Sequence, residues 1–144
     1  MLSSTDIALV RASFARVVTI QEATADLFYE RLFVIAPRVH ALFPADLSKQ
    51  KTKLMQMITA AVGGLDGLDG LVPAVKALGA RHVEYGVTTA DYAVAGEALL
   101  WTLEQGLGEE FTPEVRSAWA NMYDLLAATM QAGAAEAADL RAAE

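Results

Sequence analysis

The sequence predicts an all-α fold. Three observations carry this expectation. Apolar residues recur at helical spacing along most of the chain, and no segment alternates with the period of two that a half-buried strand needs. All four prolines, Pro37, Pro44, Pro73 and Pro113, can stand at joints or helix starts, so none interrupts a long periodic stretch.

The elements follow in order. Ser4 or Thr5 can cap a first helix, 5–19, that carries Ile7, Val10, Phe14 and Val17. A second helix is expected over 22–36, then a short turn over 37–43, and a third helix over 50–65. The run Gly63-Gly64-Leu65-Asp66-Gly67-Leu68-Asp69-Gly70 punctuates the middle of the chain. A helix over 71–82 places Leu71, Val75, Leu78 and His82 on one face. Thr88 followed by Asp91 resembles a capping box and opens a helix over 89–107. Thr112-Pro113-Glu114 combines a cap, a proline at the first helical position and an early acid, and starts a helix over 113–133. Tyr92, Ala95, Leu99 and Leu103 form the apolar stripe of one of these last two helices, and Val115, Ala118, Trp119, Met122 and Leu126 that of the other. The Ala- and Glu-rich tail, 134–144, either extends the last helix or frays.

Length and composition narrow the function classes. A chain of 144 residues fits one domain, expected over 1–144, and 54% hydrophobic residues argue against disorder. A net charge of −7 disfavours nucleic-acid binding, which draws on a basic surface to displace counterions. With no cysteine, disulfides and thiolate-held metals are excluded. The first residues lack a basic region followed by an apolar run, and no apolar stretch approaches the length of a membrane span. The expected location is therefore cytoplasmic, with no membrane span.

Only two histidines are present, His40 and His82. His82 ends an apolar helix face. Such a histidine is more often a hydrogen-bonded core residue than a metal ligand, so spacing alone does not decide its role. His40, in an Arg-Val-His segment beside a turn, reads as surface. Gln50 leads an otherwise apolar stripe of Leu54, Met57 and Ala61, either as a buried amide donor or as a half-exposed helix start. Aromatic residues cluster at Phe28-Tyr29, Phe33 and Phe43. No nucleophilic triad or phosphate loop is found.

Taken together and in this order, Phe28-Tyr29-x-x-Leu32-Phe33, Pro37, Leu42-Phe43, Gln50-x-x-x-Leu54, Leu71-Val72-Pro73, Leu78-Gly79-x-Arg81-His82, Tyr85-Gly86-Val87, Tyr92 and Ala118-Trp119 resemble a globin. More narrowly, they resemble the bacterial single-domain haemoglobins of the flavohaemoglobin lineage, over residues 1–133. The resemblance implies a globin fold of obliquely packed helices around haem b, iron protoporphyrin IX. It makes His82 the proximal iron ligand and Phe43 the aromatic wedge on the haem ring. Tyr29 and Gln50 become the distal polar pair, and Leu54 and Met57 the apolar walls. Lys53 and Arg81 become candidates for the propionates, and Tyr92 approaches the proximal side. Phe28, Leu42, Leu78, Tyr85 and Val87 complete the expected contacts.

One departure bears on chemistry. Members of this lineage that dioxygenate nitric oxide pair the proximal tyrosine with a glutamate of the last helix. An ungapped count puts Ala134 at that position here, with Glu136 two residues on. The resemblance implies high-affinity dioxygen binding for storage or delivery, with carbon monoxide and nitric oxide as further ligands. Its alternatives are nitric oxide dioxygenation with an external reductase, and a gas sensor or haem-free interaction module.

Overall fold

The computed structural model describes residues 2–143. Six α-helices, joined by 3₁₀ turns and short loops, account for the fold, and no strand occurs among the described residues. They are α1 (Ser4–Val17), α2 (Gln21–Ile35), α3 (Ser48–Gly63), α4 (Val72–Glu84), α5 (Thr89–Leu107) and α6 (Pro113–Ala143). The Gly-rich joint at 63–70 ends α3 and contains one 3₁₀ turn, Leu68–Gly70.

The first cap differs from expectation. Ser3, not Ser4 or Thr5, is the N-cap, because its hydroxyl accepts from the Asp6 N–H at 3.0 Å while the Asp6 carboxylate accepts from the Ser3 N–H at 3.3 Å. At α5 the Thr88 N–H donates to the Asp91 carboxylate at 2.8 Å, and at α6 the Thr112 hydroxyl accepts from the Val115 N–H at 3.2 Å. The tail does not fray within the described residues: α6 runs to Ala143. Alanine has the highest helix propensity, and two ion pairs fasten the extension to α4, Lys76 to Glu136 at 2.8 Å and Glu84 to Arg141 at 3.0 Å.

The core joins α1, α2, α3, α5 and α6. Val10 and Phe14 pack with Phe28, Leu32, Ile58, Leu99, Leu103 and Trp119, all buried. Trp119 is fully buried, and its indole N–H donates to the Ser13 hydroxyl at 2.8 Å, so the ring's polar edge is satisfied.

Helix α4 is held differently. It contributes no side chain to the buried core, and only Gly79 on it is buried. It instead crosses α6 at backbone contact. A Cβ at Gly79 would lie 1.9 Å from the Met130 carbonyl oxygen, and one at Gly133 would lie 2.2 Å from that of Lys76. Both positions therefore require glycine. This crossing positions the helix that carries His82.

Candidate functional site

The half-buried face of α4 carries Val75, Leu78 and His82, with Leu71 at its N-cap in line with them, as the spacing predicts. α3 and α4 are not a packed pair. Leu42, Phe43, Leu54 and Met57, from the 37–43 segment and α3, pack on the core but remain partly exposed. A helix face and a set of large apolar side chains are thus each left half-covered. The joint from α4 into α5 is tied to the 37–42 turn. Gly86, with a φ of +91°, lets the chain turn beside Leu42, and Arg38 bonds to both Thr88 and Asp91.

His82 is half-buried, and its Nδ1 lies 2.7 Å from the Leu78 carbonyl. A carbonyl only accepts, so Nδ1 is the donor, and in the neutral ring Nε2 keeps its lone pair. Tyr92, on α5, stacks near this ring, with centroids 6.3 Å apart and planes inclined by 25°. The Tyr92 hydroxyl is buried without a hydrogen-bond partner. Glu136 is engaged with Lys76 at 2.8 Å, and Tyr123 bonds the main chain of Tyr92 through its hydroxyl at 2.6 Å. The Tyr92 phenol therefore has no carboxylate partner among the described residues.

On the other side, Tyr29 is buried in an aromatic cluster with Phe28, Phe33 and Phe43. Burial pushes its phenol up to about 12, so it stays protonated as a donor. Its hydroxyl donates to the Gln50 main-chain carbonyl at 3.3 Å, not to the side-chain amide. Tyr29 and Gln50 are therefore linked through the main chain of α3, and this bond does not engage the Gln50 amide. Gln50 itself is half-buried.

Of the remaining expected residues, Leu78 and Val87 are half-buried and Phe28 is buried. Lys53 and Arg81 are exposed. Tyr85 stands at the rim, 55% exposed and 6.0 Å from the His82 ring, because α4 ends just before it and the chain turns at Gly86. His40 is exposed and packs on Phe33 at 4.4 Å.

The sequence reading missed three features: the α4–α6 glycine crossing, the Arg38–Asp91 tie and an ion pair between Asp26 and Lys51. A lone glycine inside a helical pattern, Gly79, is the one signal that pointed to the first.

The donor set and the half-covered apolar faces fit a flat, apolar, metal-bearing group. The globin family model matches residues 26–130. The chain belongs to the globin family. This globin is 36% identical to neuroglobin-2 of Oncorhynchus mykiss, over 83% of the chain and 75% of that protein. It is 32% identical to the neuroglobin of Tetraodon nigroviridis, over 92% of each. A flavohemoprotein of Bacillus subtilis is 28% identical over 88% of this globin, which spans 33% of that longer protein. An engineered carbene transferase made from a nitric oxide dioxygenase-type protein of Rhodothermus marinus superposes with a TM-score of 0.88, at 26% identity over 99% of both chains. The all-α globin fold and the bacterial likeness expected from the motifs both stand, and vertebrate neuroglobins join the relatives.

Proposed function

We propose that this globin is a single domain that holds haem b and binds dioxygen with high affinity, in storage or delivery. The observation that carries the reading is the His82 ring. Its proton is fixed on Nδ1 by the Leu78 carbonyl at 2.7 Å, and the free Nε2 stands on a helix face outside the packed core. A histidine retained only for packing has no need of a half-covered apolar face.

Haem supplies, when bound, an iron that takes up a diatomic gas and can change its oxidation state. The residues do the rest. His82 would supply the nitrogen that holds the iron, its ring oriented by the Leu78 carbonyl. Phe43, Leu42, Leu54, Met57, Leu78 and Val87 exclude water. Lys53 and Arg81, both exposed, suit carboxylates at a solvent edge. Tyr29, a neutral phenol, would reach a bound gas by turning its one O–H from the Gln50 carbonyl, and the Gln50 amide would offer a second donor beside it.

A second reading is nitric oxide dioxygenation, favoured by the likeness to the Rhodothermus marinus protein and the flavohemoprotein. One dioxygen, one nitric oxide and one electron give one nitrate, so this reading calls for a reductase as electron donor. A cytoplasmic location fits both readings.

The test is the absorption spectrum of the purified chain titrated with haem, then with dioxygen and carbon monoxide. Saturable uptake at one haem per chain and distinct gas spectra are expected. A chain that leaves haem free in solution contradicts the proposal. Nitrate production sustained by an added reductase selects the second reading, and a single turnover without it does not.

A further inference from the structure

Between α2 and α3 the surface opens into a hollow of about 290 Å³, lined by Asp26, Tyr29, Glu30, Phe33, Leu47 and Lys51. Tyr29 lines the hollow yet is only 6% exposed, and its hydroxyl reaches the Gln50 carbonyl. The same side chain thus separates the hollow from the proposed gas site. Tyr29, Phe33 and Leu47 give it apolar surface, and Asp26, Glu30 and Lys51 bring charge to it. Asp26 of α2 and Lys51 of α3 form an ion pair of 2.8 Å across it, their side chains 56% and 35% exposed. Apart from the Tyr29–Gln50 bond, no other polar side-chain link joins α2 to α3 among the described residues. So exposed a pair holds two helices weakly.

We infer that this hollow is the port by which a diatomic gas reaches the haem pocket, with the Asp26–Lys51 pair as its latch. The inference rests on the haem-and-gas reading above. An uncharged gas partitions into apolar space and needs only a transient gap beside the Tyr29 ring. The latch also gives the port a distinguishing sign. Carbon monoxide carries no net charge, so salt cannot alter its steering. Salt does screen an exposed ion pair. A salt-dependent association rate for a neutral gas therefore reports on the protein's own opening.

The test is carbon monoxide association after flash photolysis of the haem-loaded full chain. The rate is expected to rise about two- to fivefold from low to molar salt, the range an exposed pair can supply. Asp26→Asn and Lys51→Met should each raise the rate at low salt and remove the salt dependence. Leu47→Trp fills the hollow and should slow association at least threefold; Leu47→Phe serves if the larger ring impairs folding. A readout independent of haem is NMR of the chain under xenon, which should shift resonances of Leu47 and Phe33 and lose those shifts in Leu47→Trp. Haem uptake is checked first, and its failure sinks the proposed function. Normal uptake with an association rate indifferent to salt and to the Leu47 variants sinks the port alone.

Discussion

The His82 Nδ1 sits 2.7 Å from the Leu78 carbonyl one turn earlier on α4. That bond sets the tautomer and turns Nε2 away from the helix. His82→Ala should abolish stable haem uptake. Because a ligand that binds only the folded state adds to its stability, the gain in melting temperature on adding haem should vanish too. His82→Gly should regain haem binding when free imidazole is supplied. Full haem retention with an unchanged spectrum in His82→Ala would sink the ligand assignment.

Tyr29 bonds the main chain of Gln50, so the two side chains are not locked to each other. To donate to dioxygen the phenol must leave that main-chain carbonyl. A hydrogen bond to a charged group contributes roughly 1.5–3 kcal/mol and the neutral bond given up roughly 0.5–1.5, so Tyr29→Phe should speed dioxygen release about five- to tenfold. Gln50→Leu leaves the main-chain carbonyl in place and should have a smaller effect. The double variant should then be close to additive. Stopped-flow release from the three variants checks this, and an unchanged rate in Tyr29→Phe removes Tyr29 from the gas site.

A methyl group at residue 79 has nowhere to go, since its nearest neighbour, the Met130 carbonyl oxygen, would be 1.9 Å away. Gly79→Ala must push α4 off α6, an overpacking that costs roughly 1–3 kcal/mol or more. His82 lies one turn further along, so haem should also be lost faster. Gly63→Ala is the control, as nothing lies within 4 Å of a Cβ there. Thermal melts and haem transfer to an acceptor protein read both effects. Equal melting temperatures for the two variants would mean that the crossing is loose.

The helices and their apolar faces were legible because a 3.6-residue period and cap chemistry are local. Thr112-Pro113-Glu114 and the Leu71-Val75-Leu78-His82 stripe needed nothing beyond neighbouring residues. Ser3 was misread only because three hydroxyl residues compete at the start, and the carboxylate of Asp6 decides between them. What could not be read was long-range. Nothing local to Gly79 says that a backbone 51 residues on will touch it, as the Met130 contact shows. Nor does a glutamine's spacing say whether its amide or its carbonyl meets a distant phenol. Family resemblance, not spacing, raised His82 from an ordinary core histidine to a candidate ligand.

Alkaline pH should weaken the fold through its tyrosines. Burial raises Tyr29 to about 12 and raises Tyr123 as well, against an ordinary value of 10.0 in the unfolded chain. The folded state therefore holds these protons where the unfolded state has released them. Their contribution is complete below pH 10 and is lost as pH climbs through the folded values. For Tyr29 that rise is worth roughly 3 kcal/mol at most. Melting temperature should fall above pH 10, and fall less steeply in Tyr29→Phe. A profile identical to the parent's would show that the phenol ionises as freely folded as unfolded.

Tyr92 presents the opposite case, a buried hydroxyl with no partner. A hydroxyl left unpaired costs the fold roughly 1–3 kcal/mol of desolvation, so Tyr92→Phe should leave haem-free stability unchanged or raise it. With Glu136 held by Lys76 at 2.8 Å, no carboxylate reaches the phenol to pass charge toward His82. Tyr92→Phe should accordingly leave the iron–histidine stretching frequency of the ferrous protein where it was. Ala134 is half-buried on α6, at the position counted for the missing glutamate. Ala134→Glu should give the hydroxyl its partner and raise that frequency, and the rise should disappear in the Tyr92→Phe, Ala134→Glu double variant. Resonance Raman spectra of the three proteins decide. A shift in Tyr92→Phe alone would mean that the hydroxyl already acts on His82, and a rise that survives in the double variant would mean that the new carboxylate reaches the histidine by another route.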